Sequence, residues 1–149
     1  MTDTQKSELD ELARDVGARC VAMRVHRASR RLTRRYDDAV RAAGITITQF
    51  TLLNTIAVQK PESISDISDV LDIDRTTLSR SLGLLEKDGL VRLGEPGPDR
   101  RRGVALTEEG ERVLAEAYES WKRAQSQVEA LVEADDLAEL DRILSKLRT

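Results

Sequence analysis

The chain has 149 residues but only one cysteine, one histidine, three prolines and four aromatic side chains. A single cysteine excludes an intrachain disulfide. One cysteine and one histidine cannot supply a structural zinc site, so neither a metal nor another cofactor is expected. The aromatics Tyr36, Phe50, Tyr118 and Trp121 are too few for a platform that stacks the bases of a single strand. No apolar run approaches the roughly 18 residues of a membrane span. The start Met1–Lys6 is polar and lacks the apolar segment of a signal peptide. There is no Gly-rich phosphate loop and no internal repeat. Cys20 and His26 have no orienting third group beside them, so no enzyme is expected. The expectation is one cytoplasmic domain with no membrane partner, long enough to bury a core of its own.

What is abundant is arginine, which makes up 19 of the 24 basic residues, although the net charge is −3. A uniformly basic coat is therefore excluded. The charge is uneven along the chain. Residues 1–44 carry +3, residues 45–73 carry −3, residues 74–107 carry +2 and residues 108–149 carry −5. Within 74–107 the arginines gather at Arg75 and Arg80 and at Arg100, Arg101 and Arg102. A local basic face on an acidic protein is compatible with a polyanionic partner, although solvated charge is the default on any surface.

Apolar periodicity predicts a long helix over about residues 8–43, with Leu9, Leu12, Val16, Cys20 and Met23 on one stripe and Gly17 as a candidate bend. Such a helix would be about 50 Å long. That exceeds what one small domain covers, so part of its stripe is expected to meet a second subunit. Gly44 suits its stop. Thr46–Gln49 has the form of a capping box and opens a helix bearing Phe50, Leu53 and Ile56. A short helix from Ser63 follows, then the turn Asp72–Asp74. Asp74 is placed to cap a helix from Arg75 to Lys87, ended by Gly89. The period then changes to two. Leu90–Leu93 and Val104–Leu106 read as strands of a hairpin around a Gly/Pro/Arg loop. Thr107 caps a helix running to about Leu131, and Asp135 or Asp136 opens a last one. The fold class is mostly α with a small β-hairpin wing. Helical segments at 1–44 and 108–149 thus flank a lobe at 45–107.

Two short helices joined by a three- or four-residue turn suit a helix-turn-helix, whose second helix presents its first residues to the major groove. With Leu78 and Leu82 inward, Arg75, Thr76, Thr77, Ser79 and Arg80 face outward. Hydroxyls and guanidinium forks suit phosphates and base edges. Arg100, Arg101 and Arg102 on the hairpin could reach an adjacent minor groove, where arginine is drawn by the negative potential. The alternative is an ordinary helical hairpin followed by a solvated charged loop.

The sequence resembles the MarR family of winged helix-turn-helix transcription regulators. The resemblance lies in Asp74–Arg80, Leu84–Val91, Asp99–Arg101 and Leu106–Gly110, with Tyr36-Asp37, Gly44–Thr46 and Gln49–Leu53 upstream. It covers about residues 8–148. It implies a homodimer in which residues 1–44 and 108–149 intertwine as a dimerisation region, while the two winged helix-turn-helix lobes, residues 45–107, read a near-palindromic operator in double-stranded DNA. The family's contacts would fall on Arg75, Thr76, Thr77, Ser79 and Arg80, with wing contacts on Arg100 and Arg101. The wing from Asp99 to Thr107 is one residue shorter than the family's usual one, so which of Arg100, Arg101 and Arg102 enters the minor groove stays open. A homodimeric repressor released by a small effector or by oxidation is the expectation. The alternative is a winged-helix adaptor between proteins that does not bind DNA.

Outside these motifs, Cys20 lies on the first helix's apolar stripe. It reads either as a small buried hydrophobe or as a redox sensor like those of some family members. His26 reads as a surface or interface residue. The Arg24–Arg35 run reads as a solvated face or as part of a site for an anionic effector. Tyr118 and Trp121 read as dimer core rather than a ligand cage.

Overall fold

The structure is a computed structural model and describes residues 3–95 and 102–147. The chain divides into two units, Met1–Arg35 and Tyr36–Thr149. The first holds helix α1 (Asp3–Arg19) and most of helix α2 (Val21–Val40). Helix α2 runs on into a 3-10 turn, Arg41–Ala43, which Gly44 ends with φ at +75°. The expected single helix is thus interrupted at Cys20, three residues beyond Gly17. Its backbone ladder loosens there rather than stopping. The Cys20 N–H donates to the Val16 carbonyl at 2.9 Å, while the Arg24 N–H reaches the Cys20 carbonyl at 3.4 Å. The Arg24 guanidinium donates to the Ala18 carbonyl, an acceptor the ladder itself would use. A side chain inserted in this way is a known cause of helix interruption. Leu9, Leu12, Val16, Val21, Val25 and Leu32 are all exposed.

The second unit contains helices α3 (Ile47–Gln59), α4 (Ile64–Leu71) and α5 (Arg75–Lys87), strands β1 (Val91–Leu93) and β2 (Val104–Leu106), and helices α6 (Glu108–Glu129) and α7 (Ala134–Lys146). The expected capping box opens α3. The Gln49 N–H donates to Thr46 Oγ1 at 3.2 Å and the Thr46 N–H to Gln49 Oε1 at 2.9 Å. Asp37 adds a second acceptor, taking the Ile47 N–H at 2.7 Å. Strands β1 and β2 pair antiparallel with Val91 opposite Leu106 and Leu93 opposite Val104. Helix α6 stops at Glu129, slightly short of expectation. Helix α7 starts two or three residues earlier than expected, with Glu133 at its cap and Asp136 accepting the Glu133 N–H at 3.1 Å.

One core joins α3, α4, α5, the hairpin and the first half of α6. Its centre is Leu53, Ile56, Ile67, Leu78, Leu82 and Leu85, each 2% exposed or less. Burying side chains of this kind contributes about 1.5–3 kcal/mol each. Helix α5 ends in a Schellman turn, in which Gly89 takes φ of +73°. The Gly89 N–H donates to the Glu86 carbonyl at 3.0 Å and the Leu90 N–H to the Leu85 carbonyl at 2.9 Å. Thr107 then fastens the next helix to this turn. Its hydroxyl donates to the Gly89 carbonyl at 2.6 Å and accepts the Gly110 N–H at 3.0 Å. The Thr107 N–H donates to the Leu90 carbonyl at 3.1 Å.

The start of α6 is pressed against Leu90 so closely that a Cβ on Gly110 would lie 2.0 Å from the Leu90 carbonyl oxygen. Main chain cannot step aside as a flexible side chain can. Gly110→Ala is therefore expected to destabilise the protein by about 1–3 kcal/mol, the usual range for overpacking. Chemical denaturation should show it as a lower midpoint, and an unchanged midpoint would contradict this packing.

Candidate nucleic-acid interface

Local hydrogen bonds build the helix-turn-helix. Ser63 caps α4, its Oγ accepting the Asp66 N–H at 3.3 Å while Asp66 Oδ2 accepts the Ser63 N–H at 2.9 Å. Asp72 turns the chain in the left-handed region, with φ of +52°, a conformation that Asp tolerates better than most residues. Ser68 holds the turn closed: its hydroxyl donates to the Ile73 carbonyl at 2.6 Å and its carbonyl accepts the Ile73 N–H at 3.2 Å. Asp74 then caps α5, accepting the Thr77 N–H at 2.9 Å. Hydrogen bonds from Thr77 hold the Asp74 carboxyl below its ordinary pKa, because they favour the ionised form.

This framework presents the sequence-predicted residues together. Arg75, Thr76, Thr77, Ser79 and Arg80 are all exposed on the first turns of α5, while Leu78, Leu82 and Leu85 are at most 1% exposed. The Arg75 guanidinium donates to Ser65 Oγ of α4, tying the first residue of the helix across the turn. Helical spacing also puts Gly83 and Lys87 on the same outward ridge as Thr76 and Arg80, at steps of four, three and four. Sequence reasoning passed over both, although this periodicity was there to be read. A Cβ on Gly83 would meet nothing within 4 Å. Glycine in a helix interior costs about 1 kcal/mol relative to alanine. No packing among the described residues accounts for it.

The hairpin lies next to α5 in the chain. Its base is drawn together by the Gly94 N–H, which donates to the Gly103 carbonyl at 2.9 Å, and by Arg102 Nε, which donates to the Gly94 carbonyl at 2.8 Å. Arg102 is half-buried there. Arg100 and Arg101 lie outside the described residues. The Val104 N–H reaches the Pro61 carbonyl at 3.3 Å, so the wing is anchored to the loop before α4 as well.

Beneath the wing a cavity of about 940 Å³ opens between α3, the hairpin and α6. Phe50, Leu114 and Tyr118 form its apolar wall, and Asn54, Lys60 and Arg92 bring polar groups to it. Trp121 stacks on both Phe50 and Tyr118, with ring centroids 5.9 and 5.7 Å apart. Tyr118 is 46% exposed. These residues come from three separate stretches of chain, and no sequence spacing announces them.

The other candidates lie in the first unit. Cys20 is half-buried at the α1–α2 junction. His26 shares a cleft of about 340 Å³ with Arg24, Arg27 and Arg30. All the arginines from Arg24 to Arg35 are exposed. Among the described residues no three His, Cys, Asp or Glu side chains converge to hold a metal, and no helix is long and apolar enough to cross a membrane.

The Asp74 cap leads to a pH prediction. Its carboxyl has a lower pKa folded than unfolded, so its contribution is complete above the unfolded value and is lost as pH falls through the folded one. Asp74→Asn keeps a capping oxygen but cannot titrate. Between neutral pH and about pH 3, below the ordinary Asp value, the wild type should lose more stability than Asp74→Asn in thermal melts. Equal losses would exclude an ionised cap.

The MarR family model matches residues 43–102, which span the helix-turn-helix and the first part of the hairpin region. Among solved structures, the M. tuberculosis transcriptional regulator MosR in complex with DNA is 33% identical. That alignment covers 88% of this chain and 100% of MosR, with a TM-score of 0.74. A mutant of E. coli MarR complexed with operator DNA is 22% identical over 90% of this chain and 97% of its own, with a TM-score of 0.79. The S. aureus MepR–DNA complex is 19% identical over 85% and 93%, with a TM-score of 0.72. At these identities the last two bear on the fold alone. No curated protein sequence is significantly similar to the chain. The family model on the helix-turn-helix and a one-third identical relative aligned along its whole length together make this chain a member of the MarR family.

Proposed function

We propose that the protein is a transcription regulator that binds double-stranded DNA as a homodimer in the cytoplasm and represses from a near-palindromic operator. The observation that carries this reading is the outer face of α5. Its first two turns offer Arg75, Thr76, Thr77, Ser79 and Arg80 to solvent above a buried leucine face. Side chains at the start of such a helix are the ones that meet base edges in a major groove. Arg100 and Arg101 would extend the contact to the flanking minor groove, while Arg102 helps to fasten the hairpin base. MosR, the one-third identical relative, has been solved in complex with DNA.

Two lobes are needed to read a near-palindrome. Exposed Leu140, Ile143 and Leu144 on α7, with Leu131 in the turn before it and Leu147 at its end, offer an apolar surface suited to a second copy. A dimer fits successive major grooves only when its lobes stand about 34–36 Å apart. A small amphipathic effector in the cavity between α3, α6 and the hairpin would press on the elements that carry α5 and the wing. Even a modest change in lobe spacing would then release the operator.

Genomic fragments retained by the purified protein would identify the operator. On such a fragment Arg75→Ala should relax sequence preference. The double variant Arg100→Ala/Arg101→Ala should weaken binding and lower the slope of log affinity against log salt by about four, two contacts from each protomer. If the wild type shows no salt-sensitive retention on duplex DNA at about 100 mM salt, where phosphate contacts are visible, the reading fails and a protein adaptor takes its place. In sedimentation, the wild type should run as a dimer and Leu140→Glu/Leu144→Glu as a monomer. A monomeric wild type would refute the two-lobed arrangement.

A further inference from the structure

We propose that Gly83 is a clearance residue: it leaves a notch on the outward ridge of α5 through which the helix backbone approaches DNA, with Arg80 and Lys87 gripping phosphates on either side. The proposal rests on the DNA-binding reading above and adds two residues to it. On an α-helix, Thr76, Arg80, Gly83 and Lys87 fall within an arc of about 60°, opposite Leu78, Leu82 and Leu85. The ridge spans about 16 Å, from the first turn of the helix to its last. It therefore extends the contact surface well past Arg80. Arg80 and Lys87 are exposed, and neither has an ion pair among the described residues.

Gly83 stands out on this ridge. It lies inside a helix whose ladder needs no glycine, it has no positive φ, and a Cβ there would meet nothing within 4 Å. Contrast Gly110, where a Cβ would strike the Leu90 main chain. The fold explains Gly110 but not Gly83. The space above Gly83 is open among the described residues, and the proposal places the demand for a bare backbone in the bound DNA. A groove-bound helix has its outward ridge pressed against base edges and sugar–phosphate walls, where one added methyl group matters. Glycine is the residue that lets a backbone approach a ligand closely.

The test separates folding from binding. Gly83→Ala and Gly83→Leu both place good helix formers at an open position, so both should raise the melting temperature, by about 2–6 °C. The probe is a duplex of about 30 base pairs that the wild type enriches from a randomised pool, long enough for two half-sites one helical turn apart. On it, Gly83→Ala should bind about tenfold more weakly than wild type and Gly83→Leu more weakly still. Lys87→Ala should lower the salt slope by about two, because a dimer loses one phosphate contact from each protomer. Equal affinity of wild type and both Gly83 variants would overturn the proposal, as would a fall in melting temperature in both. A wild type that enriches no duplex would instead overturn the DNA-binding reading on which it stands.

Discussion

Leu78, Leu82 and Leu85 are withdrawn from water almost completely, and the orientation of α5 follows from that burial. They belong to one core cluster with Leu53 and Ile56 on α3, Ile67 on α4 and Val91 and Val104 on the hairpin. Rotating α5 about its axis would expose leucine and bury arginine, a change that costs several kcal/mol on either count. Burial of the inward leucines thereby fixes the direction in which the outward face points. Arg75, Thr76, Ser79 and Arg80 need no other support to point at a partner, apart from the hydrogen bond that ties Arg75 to Ser65.

The ends of that helix matter as much as its middle. Asp74 fixes where α5 starts, and the Gly89 turn fixes where it stops. The same turn receives the Thr107 hydroxyl, and the Leu90 carbonyl lies against Gly110. Helix α5, the base of the wing and the first turn of α6 therefore meet within a few residues. Main-chain groups of Gly89 and Leu90 are in direct contact with Thr107 and Gly110 at this junction. The cavity lies beside this junction, lined by α3, the hairpin and α6. That placement makes an occupant of the cavity a reasonable lever on DNA affinity.

Net charge is the wrong scale on which to ask about a nucleic-acid partner here. The whole chain is at −3, yet residues 74–107 are at +2 and the acidic excess sits in residues 45–73 and 108–149. At physiological salt the Debye length is about 8 Å, so a phosphate at the face of α5 responds to nearby arginines far more than to carboxylates on distant helices.

Much of the molecule was legible in one dimension because local rules govern it. The capping residues Thr46, Ser63, Asp74 and Thr107, the stops at Gly44 and Gly89, the two strands and the inward leucines of α5 all depend on neighbours within a few positions. The outward set on α5 followed from the same periodicity, although Gly83 and Lys87 were passed over. The interruption at Cys20 was not legible, because it involves an arginine side chain reaching back into the helix ladder. Nor was the cavity, whose Phe50, Arg92 and Tyr118 are far apart in sequence. The role of Gly110 also depends on a main chain twenty positions earlier. The sequence by itself determined which segments become helix or strand and which side of each is apolar. Only the tertiary structure decided which segments enclose a common space and where two backbones touch, because those outcomes depend on long-range packing that no local spacing encodes.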